Sequence, residues 1–311
     1  MGQTARFVFL MTRTKKGQSW RAMSATIRVE RWSKPQCQLT RGAGGPGDTA
    51  DESYKIGISM KPSYDLDKIK FATDRPTFEK AIEIYSSGGV KKFKIDDFGF
   101  AAKVRGSHGI FYNVYVSAKY YDRGNCDCYV GQNDMLCKHM VALAIYAVQG
   151  GEKLSEDEKK CVYGSVCSGK VGTLTKSELV AIKAEIALAV RYIKPYNGPS
   201  RIWFAYQDSL NEGCNRLAAI ISQLPIGRQT AKLLIDLLLR LDKKLCQGGV
   251  DDSDGTVGGF IGDAVVVLCE FAKVEPQCIS EFVSVCTEKT CFGWEEPLVG
   301  IVDERNCGRL K

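Results

Sequence analysis

The sequence predicts an α+β protein, in which a small module of helix and antiparallel sheet is followed by an all-α helical domain. Three observations favour this class. Alternating β-branched and aromatic residues are concentrated between residues 90 and 121, whereas the chain after residue 151 has apolar residues at helical spacing. Between these two parts, the stretch "NCDCYVGQNDMLCKH" holds three cysteines and a histidine. A chain of 311 residues, 44% of them apolar, suffices for about two globular domains.

Residues 1–59 carry charge and loop-forming residues and lack a repeating apolar pattern. Residues 1–50 contain nine Lys or Arg against two Asp or Glu, a net charge of +7 that equals the net charge of the whole chain. We predict a basic extension without regular structure. Two alternatives stay open: a nucleic-acid-binding tail, and a start codon assigned too early, since patterned sequence begins at Met60. The rest of the chain is balanced, so the net charge does not show that the folded part binds nucleic acid.

Residues 60–150 predict one helix, a small antiparallel sheet and a second helix. Residues 75–89 place apolar side chains at helical spacing, with Thr77 as a candidate N-cap. Residues 90–97 and the stretches "FAAKVRG" and "GIFYNVYVSAKYY" predict strands, and "LCKHMVALAIYAV" predicts the second helix. The last strand has one face made of Tyr112, Val114 and Val116.

Residues 151–311 predict a helical domain. The candidate helices have prolines between them and span residues 176–193, 204–224, 228–241, 257–271 and 277–286. In the second candidate, apolar residues recur every three or four positions, at Leu210, Cys214, Leu217, Ile221 and Leu224. A HEAT-like helical stack remains an alternative, although the sequence has no clean repeat.

The cysteines and the histidine follow the pattern C-x-C, eight residues, C-x-H, at Cys126, Cys128, Cys137 and His139. Residues i and i+2 of a strand point to the same side, so the first two sulfurs can aim at one point. On a regular helix the same spacing directs two side chains well apart, which leaves the geometry of the second pair open.

We expect Asp134 to cap a helix that begins near Met135. That start would place Cys137 in the first helical turn, where the helix dipole favours a thiolate. Lys138 and the same helix end would offset the negative charge of three thiolates around a divalent cation.

Three thiolates and one imidazole form a closed tetrahedral set for one Zn²⁺ ion. Sulfur ligands favour zinc over magnesium or calcium. Four protein ligands leave no position for water, so we predict a structural zinc site at Cys126, Cys128, Cys137 and His139 and no catalytic residue. The zinc would substitute for a hydrophobic core that is too small to hold the module by itself.

This pattern resembles the SWIM-type zinc-finger family, in which CxC is followed by a variable gap and CxH. The preceding strands and the following apolar helix are similar to the ββα shape of that family, and the whole chain resembles its stand-alone prokaryotic members with a C-terminal helical domain. The resemblance implies a zinc-stapled module that interacts with DNA, another nucleic acid or a protein, without enzymatic activity. A protein–protein adaptor with no nucleic-acid role is the alternative, followed by a zinc hydrolase. Two basic-aromatic stretches, around Phe93 and around Tyr120 and Tyr121, would suit nucleic acid.

Other motifs argue against nucleotide or calcium binding. The stretch "GSVCSGKV" nearly matches a phosphate-binding loop, but Val171 replaces the hydroxyl that binds Mg²⁺. The stretch "VDDSDG" resembles a calcium loop but has Val250 and Ile261 where acidic ligands are required, so we expect a turn in which Asp254 or Thr256 caps the next helix. We expect no nucleotide.

The cysteine content and the lack of a convincing secretory signal predict the cellular compartment. The chain has 13 cysteines and no convincing secretory signal, so we expect thiols and metal ligands in a reducing cytoplasm, not a disulfide framework. A second metal site among the remaining cysteines is a minor alternative. No stretch approaches the roughly 20 apolar residues that cross a bilayer, so we expect no membrane association.

Overall fold

The computed structural model describes residues 60–161, 164–200, 203–287 and 290–308. The predictions for residues 1–59 lie outside this part. Helices α1 (Leu66–Ala72) and α2 (Arg75–Ser86) precede the strands β1 (Val90–Asp96), β2 (Gly99–Arg105), β3 (Phe111–Ser117) and β4 (Gly124–Cys126). The helices that follow are α3 (Lys138–Gln149), α4 (Glu156–Lys159), α5 (Lys176–Val190), α6 (Trp203–Ile221), α7 (Arg228–Cys246), α8 (Thr256–Val274), α9 (Ile279–Phe282) and α10 (Glu296–Gly308). The predicted α+β class is confirmed.

The four strands form one antiparallel sheet in the order β1-β2-β3-β4. Side chains alternate across β2 and β3, and the inward set is buried: Phe100, Ala102, Val104, Val114 and Val116. Helix α3 covers this face and buries seven consecutive residues from His139 to Ile145. Such complete burial explains why this helix is apolar around its whole circumference.

Helix α2 begins one turn earlier than the candidate cap implied. Asp74 is the N-cap, and its carboxylate accepts from the backbone N–H of Thr77 at 3.0 Å. Thr77 is therefore the donor in the capping bond and not the cap. Pro76 in the first turn lacks an N–H that would have no helical partner there.

A second hydrophobic core is formed by the helices after residue 176 and is separate from the core of the sheet. All five residues of the predicted apolar stripe are buried in it, four of them in α6 and Leu224 just after its end. The predicted helices 176–193, 204–224, 228–241 and 257–271 correspond to α5 to α8 within a few residues. All described residues belong to one compact unit, so the boundary near residue 150 stays a prediction.

Three helical features differ from the predictions. Residues 277–286 form only the single turn of a 3₁₀ helix and the short α9. The short helix α1 and the C-terminal helix α10 were not predicted. Asp252, which was not expected to cap α8, accepts from the backbone N–H groups of Val257 and Gly258 at 2.7 and 2.8 Å, while Asp254 accepts from that of Thr256 at 3.2 Å.

The two cores meet at a buried carboxylate. Glu212 of α6 is fully buried and forms ion pairs with Lys68 of α1 and Arg216 one turn further along α6. Asn215 donates to the backbone oxygen of Phe71 at 3.0 Å. These polar contacts fix α6 against α1 with hydrogen bonds as well as apolar packing.

One disulfide joins Cys246 at the end of α7 to Cys291, which lies before α10. The prediction of thiols throughout the chain is therefore wrong at this pair. The two residues are 45 positions apart, and sequence spacing alone does not reveal such a pairing. Among the residues described, no helix is both long enough and apolar enough to cross a membrane.

Candidate metal centre

The structure brings the side chains of Cys126, Cys128, Cys137 and His139 into one buried cluster. Cys126 is the last residue of β4, where it lies opposite Val114 of β3. Cys128 follows two positions later, before a single 3₁₀ turn at Gly131–Asn133 that reverses the chain. Cys137 and His139 then lie at the start of α3.

The predicted start of α3 is wrong, and the correction explains the geometry of the second ligand pair. Asp134 has a left-handed backbone (φ 56°) and ends the 3₁₀ turn, so it cannot cap a helix at Met135. Cys137 is the N-cap, with an extended backbone (φ −120°, ψ 160°), and the helix begins at Lys138. Because one member of the C-x-H pair lies outside the helix, its sulfur and the imidazole of His139 can converge.

The distances suit a tetrahedral cation. The Nδ1 atom of His139 lies 3.7 Å from the sulfur of Cys126 and 3.8 Å from the sulfur of Cys137. All four ligand atoms lie within 4.8 Å of one another. Zinc–sulfur bonds of about 2.3 Å and zinc–nitrogen bonds of about 2.0–2.1 Å at tetrahedral angles give sulfur–nitrogen separations of roughly 3.6 Å. The cluster could therefore hold a metal ion.

The surroundings favour a thiolate at Cys137. Cys126 donates its S–H to the sulfur of Cys137, which lowers the pKa of Cys137 from 9.0 to about 4 and raises that of Cys126. His139 and the backbone N–H of Met140 also lower the pKa of Cys137. The backbone N–H of Gly131 donates to the sulfur of Cys128 at 3.3 Å. A deprotonated sulfur is the form that binds a metal.

Packing orients the imidazole of His139. The ring of Tyr112 lies 4.7 Å from it, measured between ring centroids, and Nδ1 faces the sulfurs. The other nitrogen, Nε2, is buried and has no hydrogen-bond partner among the described residues. A Cβ atom on Gly106 would lie 2.3 Å from Cε2 of Tyr112 and 3.1 Å from Nε2, so glycine is needed there for close approach.

The cluster is shielded from solvent. Four protein ligands would complete the tetrahedral shell of a metal ion, and each candidate ligand residue is at most 6% exposed. Lys138, which was expected to offset the charge, is bonded through Nζ to the hydroxyl of Ser107 at 3.3 Å. That contact ties the start of α3 to the turn between β2 and β3.

The near-matches to other motifs lack the structural context that those motifs have in binding sites. Residues 164–170 have no regular secondary structure, and Val171 forms a β-bridge with Ile226 instead of opening a helix. In the stretch that resembles a calcium loop, Asp252 is engaged by backbone N–H groups of α8. His108 is exposed in a left-handed turn (φ 62°), as expected for its position.

The two basic-aromatic stretches are only partly available for binding. Phe93 points inward and packs on Phe100 and Tyr146, with ring centroids 5.8 and 5.0 Å apart. Tyr121 is buried and hydrogen-bonded to Thr73. Neither ring can stack on a ligand, because strand alternation and core packing turn both of them away from solvent.

Sequence analysis missed the outward face of the sheet. We define the outward face as the solvent-directed side chains of β1, β2 and β3, whose charged and aromatic members are Lys91, Lys94, Asp96, Lys103, Arg105, Phe111 and Tyr115. Lys91 lies directly opposite Lys103, and Arg105 lies directly opposite Phe111. The signal was present in the alternation of the strands, but the face is evident only once their register is known.

No protein-family model matches the chain, and no curated protein or solved structure is significantly similar to it. The fold and the cluster therefore define the class of protein: an α+β protein with a buried Cys3His cluster that could hold a metal ion. Any finer assignment rests on the residues of the chain.

Proposed function

We propose that the cluster binds one zinc ion and that this ion holds the N-terminal module together. The support is the donor set, its burial and the convergence of the four ligand atoms. Strand β4 has only three residues and the turn after it has little regular structure. A metal ion would link both to α3, which covers the sheet.

The pattern of ligands supports membership of the SWIM-type zinc-finger family as part of this proposal. The spacing of Cys126, Cys128, Cys137 and His139 follows CxC and CxH, and a sheet precedes the second pair while an apolar helix follows it. The same resemblance suggests interaction with nucleic acid or protein, and the surface of the module favours the first.

The observation that carries a nucleic-acid role is the charge of the outward face. Its cations, Lys91, Lys94, Lys103 and Arg105, are all exposed and outnumber its one acidic residue, Asp96, which lies opposite Gly99 at the end of β1. Like charges directly opposite each other in a sheet are destabilising, as Lys91 and Lys103 are here. A polyanion would relieve that repulsion.

The aromatic rings on the same face favour a single strand. Phe111 is 44% exposed beside Arg105, and the ring of Tyr115 lies against Gly99, where a Cβ atom would be 2.9 Å from Cζ of the tyrosine. Rings interleaved with cations provide stacking for bases and contacts for phosphates. Paired bases of a duplex cannot stack on such rings without being opened.

The test measures binding of a fluorescein-labelled oligothymidylate of about 15 nucleotides by fluorescence anisotropy at several salt concentrations. Each lost phosphate contact lowers the salt slope by about 0.7, so Lys103→Gln and Arg105→Gln should each flatten it. Phe111→Ala should weaken binding by about 1–3 kcal/mol through lost stacking.

Matched controls are available on the helical domain. Lys183→Gln on α5 and Phe204→Ala on α6 change an exposed cation and an exposed ring elsewhere and should leave binding unchanged. Binding that survives both Lys103→Gln and Arg105→Gln at full strength would refute the role of this face. A wild-type chain that ignores the oligonucleotide but retains a protein partner at high salt would favour the adaptor alternative.

A further inference from the structure

The Cys246–Cys291 pair lies in a second polar cluster, far along the chain from the Cys3His cluster. Cys246 is the last residue of α7, and Cys291 lies in the turn before α10. Their Cα atoms are 6.2 Å apart, which is within the range that a disulfide spans. The bond therefore links the end of one core helix to the segment that leads into the C-terminal helix.

Asp242 holds this turn independently of the sulfurs. Its Oδ1 atom accepts from the backbone N–H of Cys291 at 2.7 Å and from Nε1 of Trp294 at 2.9 Å. Asp242 is only 8% exposed, so both bonds are shielded from water. These two bonds would limit how far Cys291 moves from α7 once the disulfide is reduced, so the bond can form again.

The same carboxylate can accept the thiol of the reduced form. Its Oδ2 atom lies 3.7 Å from the sulfur of Cys246. A hydrogen bond from the Cys246 thiol to this oxygen would offset part of the stability that is lost when the disulfide is reduced. The Oδ2 atom of Asp242 would therefore gain a hydrogen-bond donor when the disulfide is reduced.

The pair is accessible, unlike several other cysteines of the helical domain. Cys246 is exposed and Cys291 is half-buried. By contrast, Cys278 is fully buried, and burial raises the pKa of its thiol to about 11. Because the thiolate is the attacking species in disulfide exchange, a buried thiol of this kind reacts slowly, whereas an exposed sulfur can be reached.

The turn beside the pair is conformationally unusual. Phe292 is 83% exposed and has a left-handed backbone (φ 67°), a conformation that is uncommon for a bulky residue, and Gly293 follows with φ 63°. The turn is thus held in a costly conformation by its attachments: the disulfide and the two bonds to Asp242. Loss of one attachment should loosen it.

We propose that Cys246 and Cys291 form a thiol–disulfide exchange site that fastens the turn before α10 to α7 under oxidising conditions and releases it on reduction. The oxidant is a small disulfide such as oxidised glutathione. One cysteine thiolate attacks a sulfur of that disulfide and expels one thiol. The second cysteine then displaces the other, so that the protein loses two hydrogens and two molecules of glutathione are formed.

The test uses the full chain equilibrated in glutathione buffers from fully reduced to fully oxidised, then alkylated and digested. Modification of Cys246 and Cys291 should fall together by about tenfold or more across the series, and reduction of the oxidised protein should restore it. The zinc content should stay the same throughout. Chymotrypsin supplies a second measurement, because cleavage after the exposed Phe292 should be about tenfold faster in the reduced chain.

Variants separate this proposal from alternatives. Cys246→Ser and Cys291→Ser should each leave the other thiol modifiable at every buffer ratio and abolish the difference in cleavage. Cys269→Ser, which removes a half-buried thiol from α8, should behave as wild type. Two results would overturn the proposal: both cysteines staying fully modifiable in oxidised glutathione, or a reduced wild-type chain that gains a second zinc ion which Cys246→Ser lacks.

Discussion

Replacing Cys137 by serine should remove the metal and unfold the module around it. Cys137 is the residue that joins the turn after β4 to the start of α3, and its sulfur has a lowered pKa. The change removes one of four ligands and places a poor zinc ligand in a buried position that is 3% exposed. We expect loss of about one zinc ion per chain and unfolding of residues 90–148.

The magnitude follows from comparing two free energies. Structural zinc binding is worth about 10–16 kcal/mol in small zinc-dependent domains, whereas whole domains are stable by only about 5–15 kcal/mol. Loss of even half of the zinc-binding free energy, about 5–8 kcal/mol, would match or exceed the free energy of unfolding of a small module. The second core shares no buried residue with the first, so α6 to α8 should stay folded.

Elemental analysis and hydrogen exchange check this prediction together. Exchange should become fast in β1 to β4 and α3 while amides of α7 stay protected. Cys269→Ser on α8 is the control and should keep both metal and protection. Full metal content and an intact module in Cys137→Ser would show that this sulfur is not a ligand, and the structural role of the ion would have to be abandoned.

Three further changes test the packing and the electrostatics. Glu212→Gln should lower the free energy of unfolding, measured in urea, by about 2–3 kcal/mol, because it leaves two cations beside a buried neutral group. Asp236→Asn, which removes an exposed ion pair, is the control and should lower it by less than about 0.5 kcal/mol. Gly106→Ala should cost about 1–3 kcal/mol, since the new methyl group collides with Tyr112, and equal stability would contradict that contact. The pKa of Glu178 is held below 4.5 by the backbone N–H and then the hydroxyl of Thr175, so its contribution is complete above that value and is lost as the pH falls through the lowered one. Glu178→Gln should therefore reduce the drop in melting temperature between about pH 7 and pH 3, and an unchanged drop would show that this cap does not matter.

Local patterns predicted the elements of the fold well. The alternation around Val114 placed Val114 and Val116 on one face of β3, and the structure buries both, because a strand has a period of two whatever it packs against. The apolar stripe that includes Leu217 identified the buried face of α6 for the same kind of reason. The three cysteines and the histidine of the cluster were predicted together because few other roles place such residues so close together in a sequence.

Features that depend on backbone conformation or on distant partners could not be predicted. Asp134 has the side chain of a good N-cap, but its left-handed backbone excludes that role. The residue type alone did not predict this backbone angle. Glu212 looked like an ordinary surface charge of a helix until α1 was placed against it. The pairing of Cys246 with Cys291 likewise requires α7 and the turn before α10 to be located in space.

The position of α3 has a consequence for how the module is made. The sheet is complete by residue 126, yet the helix that covers its apolar side ends at residue 149, so a nascent chain must emerge by more than twenty further residues before that side can be shielded. Since Cys126 and Cys128 are synthesised before Cys137 and His139, an ion bound early would have only two protein ligands until the other two emerge. Supply of metal during synthesis, and not only afterwards, should therefore set the yield of properly folded chains.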